Sequence, residues 1–102
     1  MKLYLVTRAD LTVGQQAVQA AHAAVEYARL FRKFAMLEHP TIVMVVVRDE
    51  EYLRELAVDV FARTDQIAEF HEPDLGGALT AFATSGEQAA RVLRGLPLTG
   101  AT

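Results

Sequence analysis

The sequence predicts an α/β fold, a single three-layer α/β/α domain with a mixed four-stranded sheet. Stretches rich in β-branched and apolar residues alternate with stretches of helical spacing, and the predicted order along the chain is β-α-β-α-β-β-α. The 102 residues are the length of one ordinary domain, and no linker, internal repeat or low-complexity tract divides them. We therefore expect residues 1–102 to form one domain, with helices covering both faces of one sheet.

Local signals indicate the first strand and the first helix. Residues 2–8, KLYLVTR, are rich in β-formers, and Arg8 helps to keep the apolar stretch too short for a signal peptide, so a strand is expected. Thr12 is followed three positions later by Gln15, which is the pattern of a capping box at a helix N-terminus. The sequence predicts that this helix runs to about Leu37.

The middle of the chain predicts a second strand and a second helix. Residues 41–47, TIVMVVV, form a nearly continuous β-branched run, which is typical of a strand buried on both faces and so predicts a central strand. Asp49 is expected to cap the helix that follows. The inward face of this helix is predicted to comprise Leu53, Leu56, Val60 and Phe61.

The remaining chain predicts a hairpin and a short helix. Residues 66–72 and 78–84 indicate two strands joined by a PDLGG turn, so at least one pair of neighbouring strands should be antiparallel. Ser85 and Gln88 repeat the capping-box pattern, which predicts a last helix that ends near the GLPL segment.

The composition excludes several classes of function. The chain has no Cys, which rules out a disulfide framework, a thiolate zinc site and a cysteine nucleophile, and which suits a reducing cytoplasm. Its three His lack the spacing of a metal site, it has no Gly-rich phosphate loop, and its one Ser is explained as a helix cap. No segment approaches the roughly 20 apolar residues of a membrane-spanning helix.

The charge pattern gives no global attraction for a polyanion, because thirteen acidic residues outnumber ten basic ones and the net charge is −3. Any nucleic-acid partner must therefore be held locally. Arg29, Arg32 and Lys33 cluster near the end of the first predicted helix, and Arg8 flanks the first strand. Ordinary solvated surface charges are the simpler interpretation of these residues.

The polar face of the first helix is the first candidate for a functional surface. Gln15, Gln19, His22 and Glu26 are separated by four, three and four residues, so they share one helical face among Ala and Val residues. His22 could act as a general base or as a hydrogen-bond donor to an oxyanion, because its usual pKa lies near neutral pH. A packed, hydrogen-bonded His is the alternative interpretation.

The segment 71–80, HEPDLGGALT, is the second candidate, because Glu72 and Asp74 both lie in it. Carboxylates before glycines are also common turn residues, which is the alternative interpretation. If the two candidates form one site, the face of the first helix that bears Gln15, Gln19 and His22 should be turned towards this segment.

The stretch RADLTVGQQAVQAAHAA resembles the N-terminal signature of the type 2 peptidyl-tRNA hydrolases, in which a strand ends in Arg-x-Asp-Leu and a helix carries an Ala-rich Gln-x-x-His-Ala motif. Residues 45–57 are similar to the second strand and acidic helix start of that family, and residues 72–83 are similar to the final hairpin of a shorter branch. The residues that match the first motif are Arg8, Asp10, Leu11, Gly14, Gln19, His22 and Ala23.

The resemblance implies a cytoplasmic enzyme, without metal or organic cofactor, that hydrolyses the ester between a peptide and the 3′ end of tRNA. Peptidyl-tRNA would be its partner, no membrane would be involved, and a homodimer would be compatible with the fold. Glu72 or Asp74 would orient or deprotonate a water, while His22 would polarise the ester or relay a proton. The residues expected to bind substrate are Gln15, Gln19 and Thr80 near the ester and Arg8, Arg29, Arg32 and Lys33 at phosphates.

The chain departs from the family at two points. Its VGQQ loop stands where fuller members carry a Gly-Lys-Gly-Lys-like loop, so that Gln15 occupies the position of a family lysine. The catalytic aspartate of the family is best matched by Glu72, with Asp74 as the alternative. Two rival functions follow: a non-catalytic relative that binds RNA or a protein, and a hydrolase of a small uncharged ester or amide.

Overall fold

The computed structural model describes residues 2–35 and 39–99, and it confirms a single α/β domain with a mixed four-stranded sheet. The sheet order is β2-β1-β4-β3; β1 and β2 are parallel, and the other neighbouring pairs are antiparallel. The elements are β1 (Lys2–Arg8), α1 (Val13–Leu30), α2 (Arg32–Ala35), β2 (Thr41–Val47), α3 (Glu50–Thr64), β3 (Ile67–Glu72), a 3₁₀ turn (Pro73–Leu75), β4 (Ala78–Ser85) and α4 (Glu87–Leu93).

Two apolar cores separate the three layers. Alternate residues of β1 point to opposite faces of the sheet, so that Leu3 and Leu5 pack under α1 while Tyr4 and Val6 pack under α3 and α4. The α1 side is built largely from Ala, which lets this helix lie close to the sheet. In the described part of the chain, no helix combines the length and the apolar character needed to cross a bilayer.

Helix α1 begins as predicted and ends earlier than predicted. The capping box is present, because the Thr12 hydroxyl accepts the Gln15 N–H and the Gln15 side chain accepts the Thr12 N–H. The helix ends at Leu30, where Phe31 leaves helical geometry with φ −123° and ψ 68°, and a separate turn of helix follows. The predicted continuation towards Leu37 is therefore wrong at Phe31, and residues 36–38 lie outside the described part.

Strand β2 is an edge strand of the described sheet, so its predicted central position is wrong. The parallel crossover through α1 sets β2 outside β1, and only its second half, Val45 to Val47, is buried. Residues 97–99 cover part of the outer edge, since the Val46 N–H donates to the Pro97 carbonyl and the Thr99 N–H donates to the Met44 carbonyl. The β-branched run therefore predicted the strand and the burial of its second half, but the position of β2 in the sheet depends on how the other strands pair.

Helix α3 has the predicted cap and a slightly different inward face. The Asp49 carboxylate accepts the Tyr52 N–H, which confirms the cap. Leu53, Leu56 and Val60 are buried as predicted. Phe61 is 57% exposed, and Ala57 takes the remaining inward position, because it lies four residues after Leu53 on the same helical stripe.

Ser85 is the last residue of β4, so its predicted capping box with Gln88 is wrong. Gly86 occupies the N-cap of α4 and makes no side-chain capping bond. The Ser85 side chain points to the α1 face of the sheet, where its hydroxyl shares a buried 2.5 Å hydrogen bond with the Tyr27 hydroxyl. Burial raises the pKa of Tyr27, so this phenol stays protonated at neutral pH.

We expect Tyr27→Phe to destabilise the fold, because it leaves the buried Ser85 hydroxyl without its partner. The free energy of unfolding should fall by about 1–3 kcal/mol in urea titrations. Tyr27→Phe combined with Ser85→Ala should cost less than the sum of the two single changes, since the second change removes the orphaned group. Tyr52→Phe on the exposed surface of α3 is the control, and equal losses for both Tyr variants would contradict the assignment.

Candidate functional site

An extra residue in β4 shapes the site. Phe70 pairs with Ala81 and His71 pairs with Leu79, so Thr80 is left without a partner in β3. In a regular strand Thr80 would point to the same face as Phe82, towards α3. Instead its hydroxyl is directed to the α1 side, and its carbonyl accepts a 2.7 Å hydrogen bond from the Thr7 hydroxyl.

The Thr80 hydroxyl, the Gln19 amide and the Glu72 carboxylate form a hydrogen-bonded chain. Thr80 donates to Oε1 of Gln19 at 2.6 Å, and Nε2 of Gln19 lies 3.3 Å from Oε1 of Glu72, to which it donates. Thr80 is fully buried and Gln19 is 6% exposed, so neither group can exchange its partner for bulk water. The Thr80 hydroxyl also lies 3.3 Å from the Phe70 carbonyl, a longer contact than the one to Gln19. Because a carboxylate accepts hydrogen bonds, the amide N–H groups of Gln19 face Glu72 and its oxygen faces Thr80.

The Glu72 carboxylate borders a cavity of about 330 Å³ between the N-terminal half of α1 and the 72–75 segment. This volume lies at the lower end of small-molecule sites. We call it the glutamine cleft. No basic side chain is among its described lining residues, which are polar at Gln15, Gln19, Glu72 and Asp74 and otherwise Leu11, Gly14, Val18 and Leu75.

The PDLGG segment carries the acidic wall of the glutamine cleft. It forms a 3₁₀ turn followed by Gly76 and Gly77, whose φ values of 66° and 80° are those that glycine adopts without strain. The Gly77 N–H donates to the Glu72 carbonyl at 2.9 Å, which closes the turn. The predicted turn is confirmed, and it brings Asp74 to the same cleft as Glu72.

His22 lies one helical turn beyond Gln19 and does not line the glutamine cleft. Its exposed ring is stacked on Phe70, with a centroid distance of 4.4 Å and an interplanar angle of 7°. Gln19 contacts Glu72, and His22 contacts Phe70. The two α1 residues therefore lie next to each other at the interface between α1 and β3. Gln15 and Gln19 line the cleft together with Glu72 and Asp74 of the 71–80 segment, whereas His22 contacts Phe70, which precedes this segment.

Arg8 is engaged within the fold. Its Nε and Nη2 donate to the two carboxylate oxygens of Asp10 at 2.9 Å, and Nη1 donates to the Leu79 carbonyl at 3.1 Å. The Leu79 N–H donates to Oε2 of Glu50 at 2.8 Å, so both backbone groups of Leu79 are bound where β1 has already ended. Arg8 lowers the pKa of Asp10, chiefly through their hydrogen bond.

The other predicted phosphate-binding residues lie apart from the glutamine cleft. Arg29, Arg32 and Lys33 line a second and larger cavity of about 680 Å³ at the C-terminal end of α1. We call it the basic cleft. The structure thus divides the predicted site into an acidic and an apolar part at one end of α1 and a basic part at the other.

The sequence did not single out the apolar wall of the glutamine cleft or the ring beneath His22. Val18 is 54% exposed and Leu75 is 46% exposed, and both line the cleft. An available signal was that α1 carries no charged residue before Glu26, which is unusual for a helix on a surface. Phe70 gave no signal, since an aromatic residue in a strand is ordinarily core.

The described residues contain no group of three or more side chains that could hold a metal ion. A comparison with models of protein families finds none that matches the chain, and a comparison with curated proteins finds no match either. The resemblance to the type 2 peptidyl-tRNA hydrolases therefore stays a prediction from the motifs. What the structure adds is a cleft in which several of those motif residues meet.

We expect Thr80→Val, which preserves the shape of the side chain, to destabilise the protein and to release Gln19. The buried Oε1 of Gln19 would lose its donor, so the free energy of unfolding should fall by about 1–3 kcal/mol. Thr41→Val on the exposed part of β2 should change it by less than about 0.5 kcal/mol. Denaturant unfolding measures both, and unaltered stability of the Thr80 variant would contradict the hydrogen-bonded chain.

Stability should also fall in acid through Glu50. The Leu79 N–H, followed by Arg54, lowers the pKa of the Glu50 carboxyl below its ordinary 4.5. A lowered folded pKa contributes stability that is fully present above pH 4.5 and lost as the pH falls through the folded pKa. Glu50→Gln should therefore be less stable than the wild type at pH 7, and the difference should shrink towards pH 3. Thermal unfolding across this range, with Glu55→Gln as the control on the same helix, measures the effect.

Proposed function

We propose that this protein hydrolyses the ester bond between a peptide and tRNA in peptidyl-tRNA. The observation that carries the proposal is the Glu72 carboxylate at the wall of the glutamine cleft, held by Gln19 through a buried hydrogen bond to Thr80. Ester hydrolysis needs a positioned base, a space for the reacting carbonyl and donors for the developing charge. The Glu72 carboxylate, the space of the cleft and the amide N–H groups of Gln15 support the proposal on these three counts, and the motif resemblance supplies the substrate class.

Glu72 is the general base of the proposed reaction. Among the described residues, only the Gln19 amide donates to its carboxylate, and only to one oxygen, so the other oxygen is available to a water. Glu72 takes a proton from this water as the water attacks the ester carbonyl. Asp74, which is exposed at the same cleft, is the alternative base.

Gln15 supplies the donor for the carbonyl oxygen. Its own side-chain oxygen is occupied by the Thr12 N–H, which leaves the amide N–H groups of this exposed residue as its free hydrogen-bonding groups. As negative charge develops on the carbonyl oxygen, these N–H groups stabilise it. His22, one helical turn beyond Gln19, donates a proton to the departing 3′ oxygen, and its stacking on Phe70 limits the ring to one plane.

The absence of basic side chains among the described lining residues favours a second candidate, a hydrolase of a small uncharged ester or amide. Such a substrate needs no phosphate contact, and a cavity of about 330 Å³ would hold it. A purified preparation should be assayed on peptidyl-tRNA and on a short peptide ester, each at low and high salt. The proposed function requires turnover of peptidyl-tRNA that falls with salt, because phosphate contacts release counterions. Salt-independent turnover of the short ester alone would favour the second candidate, and no turnover would leave a binding protein.

Glu72→Gln should reduce peptidyl-tRNA cleavage by about a hundredfold or more, because it keeps the shape of the side chain and removes the base. Single-turnover assays measure the rate, and thermal unfolding should be nearly unchanged. Glu69→Gln, which alters an exposed carboxylate of the same strand, is the matched control. Asp74→Asn tests the alternative base, and a full rate for Glu72→Gln with a large loss for Asp74→Asn would reassign the base.

His22→Ala distinguishes an acid-base group from a packed side chain. A catalytic His22 predicts a loss of cleavage of about a hundredfold at an unchanged melting temperature. A structural His22 predicts a lower melting temperature, because the stack on Phe70 is lost, with activity falling only as far as the protein unfolds. The double variant with Glu72→Gln should lose less than the product of the two single losses, since groups that act in one step are not additive.

A further inference from the structure

We infer that the basic cleft is a separate seat for an unpaired nucleotide of single-stranded RNA. This inference deepens the proposed function and rests on it for the identity of the RNA as the 3′ end of the substrate. The cleft is open to solvent, has a volume of about 680 Å³ and is lined by cations, aromatic rings and a side-chain amide. These are the groups that bind phosphate, the faces of bases and the edges of bases, respectively.

The aromatic part of the basic cleft consists of Tyr27, Phe31 and Phe34. The Phe31 ring lies 4.6 Å from the Tyr27 ring at a tilt of 44°, and the Phe34 ring meets Tyr27 edge-on at 5.0 Å. Tyr27 is buried, whereas Phe31 and Phe34 are half-buried and line the cavity with their uncovered surface. An unstacked base can lie on such a ring, and this contact tolerates any base because every base has a π-face.

The cationic part of the basic cleft is local, in a chain whose net charge is −3. Nη1 of Arg29 lies 2.6 Å from Oε1 of Glu26 and forms an ion pair with it. Arg32 and Lys33 are exposed and form no ion pair within the described residues. No carboxylate is among the lining residues that the structure describes. Gln66, at the start of the β3 side, adds an exposed amide that can donate to and accept from the edge of a base.

The spacing of the two clefts fits one single strand. Gln19 at the first cleft and Tyr27 at the second are eight residues apart on α1, which corresponds to about 12 Å along the helix axis. A stacked strand advances about 3.4 Å per nucleotide, so roughly three to four nucleotides span this distance. The acidic glutamine cleft disfavours phosphate, so the strand runs with its esterified end there and its preceding nucleotides towards Arg32 and Lys33.

Binding of a fluorescent single-stranded RNA of about six nucleotides, followed by anisotropy, tests the inference on the whole chain. Arg32→Ala combined with Lys33→Ala should weaken binding by about tenfold or more and should reduce the salt slope by roughly 1.4, the value for two contacts to a single strand. Phe34→Leu, which removes the ring and keeps an apolar side chain, should weaken binding by about fivefold or more with a smaller change of slope. Duplex RNA of the same length should bind more weakly than the single strand.

The matched control is Arg48→Ala combined with Arg91→Ala, which removes the same charge from exposed residues outside the basic cleft. It should bind RNA within about twofold of the wild type. Equal weakening by both double variants, or an unchanged affinity of the Arg32 and Lys33 variant, would overturn the inference. So would capture by vesicles of phosphatidylcholine and phosphatidylserine in place of RNA.

The same variants separate this inference from the proposed function. If the wild type binds RNA through the basic cleft and cleaves no peptidyl-tRNA, the seat stands and the hydrolase proposal fails. If peptidyl-tRNA is cleaved and the Arg32 and Lys33 variant keeps the wild-type KM, the hydrolase proposal stands and the seat is overturned. A raised KM at an unchanged turnover of a short peptide ester supports both.

Discussion

The hydrogen bond from the Thr80 hydroxyl to Gln19 is the contact on which the glutamine cleft depends. It exists because β4 carries one residue more than β3 at this point, which turns the Thr80 side chain away from the α3 core. If β4 were regular, the buried Gln19 amide would face an apolar surface, and burying it without a hydrogen-bond partner would cost free energy of folding. The extra residue Thr80 therefore gives the buried Gln19 amide a hydrogen-bond partner, and the same amide orients Glu72.

The elements of the fold could be predicted because their signals are local. A capping box sets the start of α1 within four residues of chain, and a β-branched run is stiff enough to favour a strand wherever it lies. The predictions that were wrong depend on residues far away in the sequence. Strand β2 lies at the edge because β1 pairs with β4 on its other side. Helix α1 ends where the Phe31 ring packs on Tyr27, and Phe61 is exposed because Ala57 fills the inward stripe of α3.

The residue types of the candidate site were also foreseeable, since Gln15, Gln19 and the 71–80 segment combine helical spacing with a motif resemblance. The separation of the candidate residues into two clefts was not foreseeable. Charge counted along a sequence does not reveal that the carboxylates and the arginines gather at opposite ends of one helix, because the carboxylates arrive from a hairpin that follows 53 residues after Gln19. Likewise, the sequence predicted Ser85 as a helix cap, whereas its hydroxyl is hydrogen-bonded to the distant Tyr27 hydroxyl.

The pairing of the first strand with the last has a consequence for the order of folding. The central ladder joins Leu3 to Ser85, and the bond from Thr7 to Thr80 spans 73 residues. On the ribosome, neither the middle of the sheet nor the cleft can assemble until β4 has emerged, so α1 has chiefly β1 to pack against while β3 and β4 are still to be made. The face of α1 that bears Ala20, Ala23 and Tyr27 is therefore only partly covered until the last strand is made.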